Sequence, residues 1–330
     1  MPGLPPATID PPTPKRRRFR WPRIPKWADS AFALCGLAIL VYVVSRYPLA
    51  TIAAECRRLG PLVALVFVLP LGWQVSGAAA VYVLLARRVE WKKILWARFA
   101  ADAYNSLFFS IGGEPFRVRF LSRYVSTDQV VSALLRDRML DMMSGYLVSA
   151  AFLFIGLRRY SPAPALSAAL YSYAAVTLAL GIAGALLVTS RLPSRVGAVV
   201  FRALGGSAGA PLTKLPTRTL LLVAPFYVVS RALGVLENGV LIWLLTGRFD
   251  VAEAGFFDGV LNAAGAVSFF VPGSLGVFEG TSVYLFKLVG LGGPQGIVFG
   301  LVRRARMLLI SALGVALHWL GRNATEQSPR

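Results

Sequence analysis

Long apolar segments alternate with short clusters of arginine and lysine along most of this chain. Two of these segments, Pro61 to Ala86 and Ala163 to Ser190, contain no charged side chain. A helix of about 20 apolar residues crosses the hydrocarbon core of a bilayer, so both segments are long enough to span a membrane. The pattern predicts an all-α polytopic membrane protein with about six transmembrane helices. The other four predicted helices begin near Ala31, Leu134, Thr219 and Pro294.

Two further apolar regions are too short or too polar to cross the membrane, and each contains a glycine-rich break. Phe99 to Ile111 has basic residues on both sides, and Val251 to Val271 is separated from Val277 to Val289 by a short break. Irregular backbone at membrane depth is tolerated where it lines a cavity or is buried in protein. We therefore predict two re-entrant helical hairpins. Their tips contain Gly112, Gly113, Pro272, Gly273 and Gly276.

The two halves of the chain resemble each other around these breaks. Residues 106–112 read SLFFSIG and residues 267–273 read VSFFVPG, and an acid, Glu114 or Glu279, follows each break. Each half has three full spans, which is an odd number, so the second copy should be inverted relative to the first. The predicted organisation is a basic disordered arm (1–28), a first membrane repeat (29–160), a second membrane repeat (161–321) with a cytoplasmic connector (191–218), and a cytoplasmic tail (322–330).

Charge distribution supports the membrane assignment and indicates an orientation. The chain carries a formal net charge of +20, but only 15% of its residues are charged and its mean hydropathy is +0.62. Strong basicity also occurs in nucleic-acid-binding proteins; here the cations lie at the ends of apolar segments, so we predict no nucleic acid partner. The positive-inside bias places both termini in the cytoplasm. A cleaved signal peptide near Ala31 is the alternative to a retained first helix, and the long basic arm favours retention.

Arg231 is the most informative single residue because it lies roughly 19 Å into its predicted helix, near the bilayer centre. A charge at that depth costs about 2.5–3.5 kcal/mol, so Arg231 should face a cavity or a partner. Asn238 shares its helix face. A structural ion pair with Glu237 or Asp258 is the alternative to a binding role.

Arginines recur at the starts of the helices that follow both predicted hairpins. Arg303 and Arg306 share a helix face, and Arg138 and Asp141 have the same spacing in the first half. The planar fork of arginine binds phosphate or carboxylate through two parallel hydrogen bonds. The alternative to such a binding role is that these arginines lie at helix ends and extend their guanidinium groups to the membrane interface. Glu114 and Glu279 are interpreted as gating or coupling acids, or as partners of these arginines.

The sequence offers no catalytic or metal-binding arrangement. His318 is the single histidine, and Cys35 and Cys56 lack the spacing of metal ligands. Asp137 and Asp141 form a lone pair four residues apart, which is weak evidence for a metal. We therefore expect neither enzyme activity nor a metal or cofactor.

Two motifs resemble signatures of a known family. Asn105, Gly112-Gly113-Glu114, Arg117, Arg138 and Asp141 resemble the N…G-G-E…R…R-x-x-D pattern of the lysylphosphatidylglycerol synthase transmembrane-domain, or flippase-like, family. Residues 272–279, PGSLGVFE, resemble its second signature, P-G-x-L-G-x-x-E. Ile111 departs from the family, in which many members have proline before the glycine. The residues after Gly321 are too few for the family's aminoacyl-transferase domain, so we expect no lipid aminoacylation.

The resemblance implies lipid translocation in the bacterial inner membrane, and related stand-alone members accompany hopanoid pathways. We expect a lipid flippase that moves a polar or anionic head group between leaflets, with an anionic phospholipid or a hopanoid-type amphiphile as its partner. A membrane-embedded lipid-modifying enzyme and a non-transporting accessory protein of envelope lipid biogenesis are the alternatives. The residues predicted to bind the substrate are Arg231, Arg138, Arg303, Arg306, Arg117, Glu114, Glu279, Asn105, Asn238 and Asp141.

Overall fold

A computed structural model describes residues 41–42, 44–107, 113–189, 215–268 and 274–326. These residues form ten α-helices, and no β-strand occurs among them. A short 3-10 turn, Pro61–Val63, leads into the second helix. The helices are α1 (Leu49–Arg58), α2 (Ala64–Leu84), α3 (Trp91–Leu107), α4 (Gly113–Leu121), α5 (Thr127–Tyr160), α6 (Pro164–Thr189), α7 (Thr217–Thr246), α8 (Val251–Val267), α9 (Val277–Leu288) and α10 (Gly293–Glu326).

The fold class predicted from the sequence is confirmed, since the described chain is all helical and several helices can cross a membrane. Four spans within the described residues are long and apolar enough: Pro61–Leu84, Thr127–Tyr160, Pro164–Leu186 and Thr217–Thr246. Helix α10 has 34 residues but carries an arginine cluster and is not one of the four. Most of the predicted first helix near Ala31 and most of the connector 191–218 lie outside the described residues. The total of six spans stays a prediction.

The turn between α7 and α8 is set by two residues with special backbone roles. Gly247 ends α7 with φ 73°, a left-handed conformation that glycine adopts without strain, and its N–H donates to Trp243 O at 2.7 Å. Asp250 caps α8 because its carboxylate accepts hydrogen bonds from the N–H groups of Ala252 and Glu253 at 2.8 and 3.2 Å. This turn fixes α8 against α7.

The helix packing follows a paired pattern around a central contact between α2 and α7. Helix α3 packs on α10, and α8 packs on α5. Helix α4 contacts α3 and α5, while α9 contacts α8 and α10. Helix α1 lies against α10, and α6 lies against α5. These contacts thus occur in matching pairs in the two halves, while the inverted orientation of the halves and the repeat boundaries stay predictions.

Small residues allow the corresponding helices to approach closely. A Cβ atom added to Gly314 of α10 would lie 2.3 Å from the carbonyl oxygen of Phe99 in α3. Between α5 and α8, a Cβ atom on Gly255 would lie 2.2 Å from the ring of Phe152. Glycines at helix interfaces are a common means of tight packing in membranes.

The first predicted hairpin corresponds to the α3–α4 pair, with a difference at its start. Helix α3 begins at Trp91, before the predicted start at Phe99. Arg98 does not end the helix, because its side chain is hydrogen-bonded inside the bundle. At the start of α4, the Gly113 N–H donates to Asn105 Oδ1 at 2.9 Å. A Cβ atom on Gly113 would lie 2.2 Å from the Ala101 carbonyl oxygen, so this position requires glycine.

The second predicted hairpin corresponds to the α8–α9 pair. Gly276 precedes α9 with φ 75°, again in the left-handed region. The predicted tip residues Gly112, Pro272 and Gly273 lie outside the described residues.

Candidate functional site

A polar cavity of about 290 Å³ lies between α2, α3, α4, α5, α7, α8 and α10. Its wall is rich in charge, with five arginines and five carboxylates. The arginines are Arg98, Arg117, Arg138, Arg231 and Arg303. The carboxylates belong to Asp102, Glu114, Asp137, Asp141 and Asp258.

Asp137 is the centre of the hydrogen bonding at one end of the cavity. This buried carboxylate on α5 accepts hydrogen bonds from Tyr227 Oη at 2.8 Å and from Arg117 Nη2 at 3.2 Å, and it lies 3.5 Å from Arg98 Nη1. Arg117 also lies 3.3 Å from Glu114. A buried charge without such partners is strongly destabilising, so these bonds hold α3, α4, α5 and α7 in register.

Gln74 extends this network across α2. Its side-chain oxygen accepts from Arg98 Nε at 3.0 Å, and its side-chain nitrogen donates to Asp102 Oδ2 at 2.8 Å. A continuous chain of bonds therefore runs from Asp102 through Gln74 and Arg98 to Asp137.

Arg231 lines the cavity from α7 and pairs with α5. Its guanidinium donates to the Asp141 carboxylate, to the Asp141 carbonyl oxygen at 2.9 Å and to Ser144 Oγ at 3.2 Å. Glu237 and Asp258 were the partners considered from the sequence; the helix crossing selects Asp141 instead. Gly145 leaves room beside this contact, because a Cβ atom there would lie 3.2 Å from the Arg231 guanidinium carbon and the arginine would have to shift slightly. Both side chains of the pair remain 28% exposed, so the pair is open to the cavity.

The three clustered arginines of α10, Arg303, Arg304 and Arg306, each have a different partner. Arg303 donates to Asn238 Oδ1, and Asn238 donates in turn to Asp258 Oδ1 at 3.2 Å. Asp258 also accepts from Asn262 at 3.0 Å.

Arg304 and Arg306 of the same cluster form ion pairs away from the polar cavity. Arg306 Nη1 contacts both oxygens of buried Glu237 at 2.8 and 2.7 Å. Arg304 Nε contacts Glu279 Oε1 at 2.6 Å. Arg306 and Glu279 line a second, much smaller cavity of about 40 Å³.

Arg138 differs from the other arginines of the wall. It is exposed on α5 and forms no ion pair or hydrogen bond with the part of the chain that the structure describes. Its guanidinium is therefore available to a ligand.

Seven of the ten residues predicted to bind substrate line the polar cavity. Arg306 and Glu279 face the small cavity, and Asn238 is buried behind Arg303. The residues brought together are Arg231, Arg138, Arg303, Arg117, Glu114, Asn105 and Asp141.

Sequence reasoning missed several members of the wall, among them Arg98, Asp102 and Gln74. Arg98 and Asp102 are one helical turn apart on α3, and this spacing within an apolar segment is a signal that could have identified them. Gln74 lies alone in an apolar helix and gives a weaker signal.

Residues 27–314 match the family described as the lysylphosphatidylglycerol synthase TM region, which is most of the chain. The chain belongs to this family. No curated protein and no solved structure matches it. Membership in the lysylphosphatidylglycerol synthase TM family indicates a function related to membrane lipids and confirms the family expected from the two motifs.

In this family member an apolar groove adjoins the polar cavity. The groove has a volume of about 760 Å³ and lies mainly between α5 and α7, with side chains such as Leu140, Leu147 and Leu236 along it. Arg231 belongs to the walls of both the groove and the polar cavity. The described structure therefore has a charged compartment and an apolar one that share Arg231.

Proposed function

We propose that this protein binds an amphiphilic lipid and moves its polar or anionic head group between the leaflets of the bacterial inner membrane. The observation that carries the proposal is the position of Arg231, which lines the polar cavity and the apolar groove together. A ligand with a charged end and an apolar tail occupies both compartments at once, whereas a water-soluble anion would leave the groove unused.

The physical problem in moving such a lipid is the desolvation of its head group. A charged group in hydrocarbon without partners is very costly, while guanidinium and amide donors replace the hydrogen bonds of water. Arg138 has no carboxylate competing for it in the described structure, and Arg303 is held by an amide oxygen. We infer that these two guanidinium groups contact the head group first, with Arg231 at its junction with the tail.

The proposed action involves no covalent change in the lipid. A lipid-modifying enzyme is the main rival, and purified protein incubated with lipid separates the two by mass spectrometry. Recovery of unmodified lipid is expected, and a new lipid product would replace the transport proposal.

Leaflet exchange in reconstituted vesicles tests the transport proposal. Fluorescent phosphatidylglycerol in the inner leaflet is measured by its exposure to a membrane-impermeant quencher. We expect Arg231→Gln to slow exchange roughly tenfold or more, because the loss of a charge-assisted hydrogen bond costs about 1.5–3 kcal/mol. Arg57→Ala is the matched control, since Arg57 is exposed on α1 and lines neither the cavity nor the groove.

Removal of Arg231 also leaves Asp141 unpaired, so a second variant separates transport from stability. The double variant Arg231→Gln/Asp141→Asn has no unpaired charge at this position and should be as slow as the single variant. Wild-type exchange in the folded double variant would exclude Arg231 from the mechanism.

A further inference from the structure

The wall of the polar cavity is electrically balanced. Its five arginines and five carboxylates have no net formal charge when all ten are ionised. A head group with one negative charge therefore leaves the filled cavity with an uncompensated negative charge. Such a charge is costly in the interior of a membrane protein, and one proton on a wall carboxylate removes it.

Two of the five carboxylates have no arginine within ion-pair distance in the described structure. Glu114, Asp137 and Asp141 each lie within this distance of a guanidinium. The remaining two are Asp102 and Asp258.

The hydrogen bonds of these two acids differ. Asp258 accepts from the amides of Asn238 and Asn262, and bonds of this kind stabilise the charged form of a carboxylate. Asp102 accepts a single bond, from Gln74 at 2.8 Å. Of the acids in the wall, Asp102 has the least support for its negative charge.

The cations that face Asp102 are already engaged elsewhere. Arg98 from its own helix, Arg117 from α4 and Arg306 from α10 all act on it from a distance. Arg98 and Arg117 are bound to Asp137, and Arg306 is bound to Glu237. Helix α2 supplies Gln74, and α5 supplies Asp137 at the far end of the hydrogen-bonded chain.

We propose that Asp102 is the proton-binding site of a proton-coupled lipid transporter. Asp102 takes up one proton from the water on the loading side as the anionic head group enters, and releases it to the water on the other side as the head group leaves. No covalent bond of the lipid changes. Because one negative and one positive charge move together, the cycle is electroneutral. This inference rests on the proposed lipid transport and adds its energy source.

Proton uptake on binding tests the assignment directly. Short-chain phosphatidylglycerol is added to the purified protein in weakly buffered detergent with a pH indicator, and protons are counted per lipid bound. We expect about one proton per lipid for the wild type, by linkage of the two binding equilibria. Neutral zwitterionic phosphatidylcholine, which does not change the charge of the cavity, should cause no uptake.

Three variants locate the proton. Asp102→Asn keeps an oxygen for the Gln74 hydrogen bond but cannot bind a proton, so uptake per bound lipid should disappear. Asp102→Glu should restore it. Glu90→Gln is the control, because exposed Glu90, just before α3, lines neither the cavity nor the groove, and this variant should retain uptake.

Vesicle exchange then tests the coupling. A pH gradient should change the direction-dependent exchange rate of labelled phosphatidylglycerol by several fold, whereas a potassium diffusion potential of either sign should leave it unchanged. The response to the pH gradient should be absent in Asp102→Asn.

The outcomes separate the two proposals. Wild-type protein that binds and exchanges lipid without proton uptake overturns the coupling and leaves the transport proposal standing. Uptake that persists in Asp102→Asn overturns the assignment to Asp102. Failure of the wild type to bind or exchange lipid overturns both proposals.

Discussion

At the scale of single residues, the arginines within the membrane differ in how completely they are enclosed. Arg306 and Glu237 form a buried pair, with side chains 11% and 3% exposed, whereas Arg231 and Asp141 remain open to the cavity. Buried ion pairs contribute little net stability, but breaking one leaves an uncompensated charge. Arg306 is therefore held in a buried ion pair, and its role as a substrate ligand stays a prediction.

The first prediction follows from this enclosure. Arg306→Met should lower the free energy of unfolding by about 3–5 kcal/mol, because it leaves Glu237 unpaired in an apolar setting. The double variant Arg306→Met/Glu237→Leu removes both charges and should recover most of that loss. Thermal and denaturant unfolding in detergent measures both. A double variant as unstable as the single one would show that Arg306 acts through contacts other than its ion pair.

Sequence reasoning located the charged residues better than it identified their partners. Arg231 and Arg303 could be placed inside the membrane because each interrupts an apolar segment. The choice of Asp141 for Arg231 and Asn238 for Arg303 depends on where α7 crosses α5 and α10, which no local pattern contains. Partner selection is a property of tertiary packing.

At the scale of helices, close crossings are determined by glycines. The α3–α10 crossing is the tightest test, because the atom nearest to Gly314 is a backbone oxygen, which cannot rotate away as a side chain can. This crossing also positions Arg98 and Asp102 relative to the arginines of α10.

Gly314→Ala should therefore destabilise the protein by about 1–3 kcal/mol through overpacking. Gly184→Ala is the matched control in α6, because the nearest atom to its Cβ would lie at 3.5 Å, an ordinary contact. That control should be neutral or slightly stabilising, since alanine favours the helix more than glycine does. Equal unfolding midpoints for the two variants would argue against a close α3–α10 crossing.

The helix boundaries show which sequence signals are reliable. Charge-free segments were predicted well, as for α6, which is found at Pro164–Thr189 within the charge-free segment Ala163 to Ser190. The lengths of helices that carry charge inside the bundle were underestimated. Helix α5, for example, begins at Thr127 instead of about Leu134. Helix α1 was not predicted, because it is short and carries Arg57 and Arg58, so it lacks the pattern of a membrane span.

At the scale of the whole molecule, the orientation in the membrane remains a prediction from the charge distribution. An even number of full crossings places both termini on the same side, and the excess of cations places them in the cytoplasm. The short turn between α5 and α6, around Pro162, should lie on the opposite side.

Reporter fusions measure this orientation. Green fluorescent protein fused after Arg88 or at the C terminus should fluoresce, and alkaline phosphatase at those positions should be inactive. A phosphatase fusion after Pro162 should be active. Activity at the C terminus would mean an odd number of crossings and would contradict the predicted inverted repeats.

Gly145 has a consequence for how this protein is studied genetically. Its missing side chain leaves the space in which the Arg231 guanidinium reaches across to α5. The space for the cation at the junction of the two compartments thus depends in part on a neighbour that can neither bind nor ionise. A mutational survey confined to charged and polar positions would overlook a residue that contributes to the space this arginine occupies.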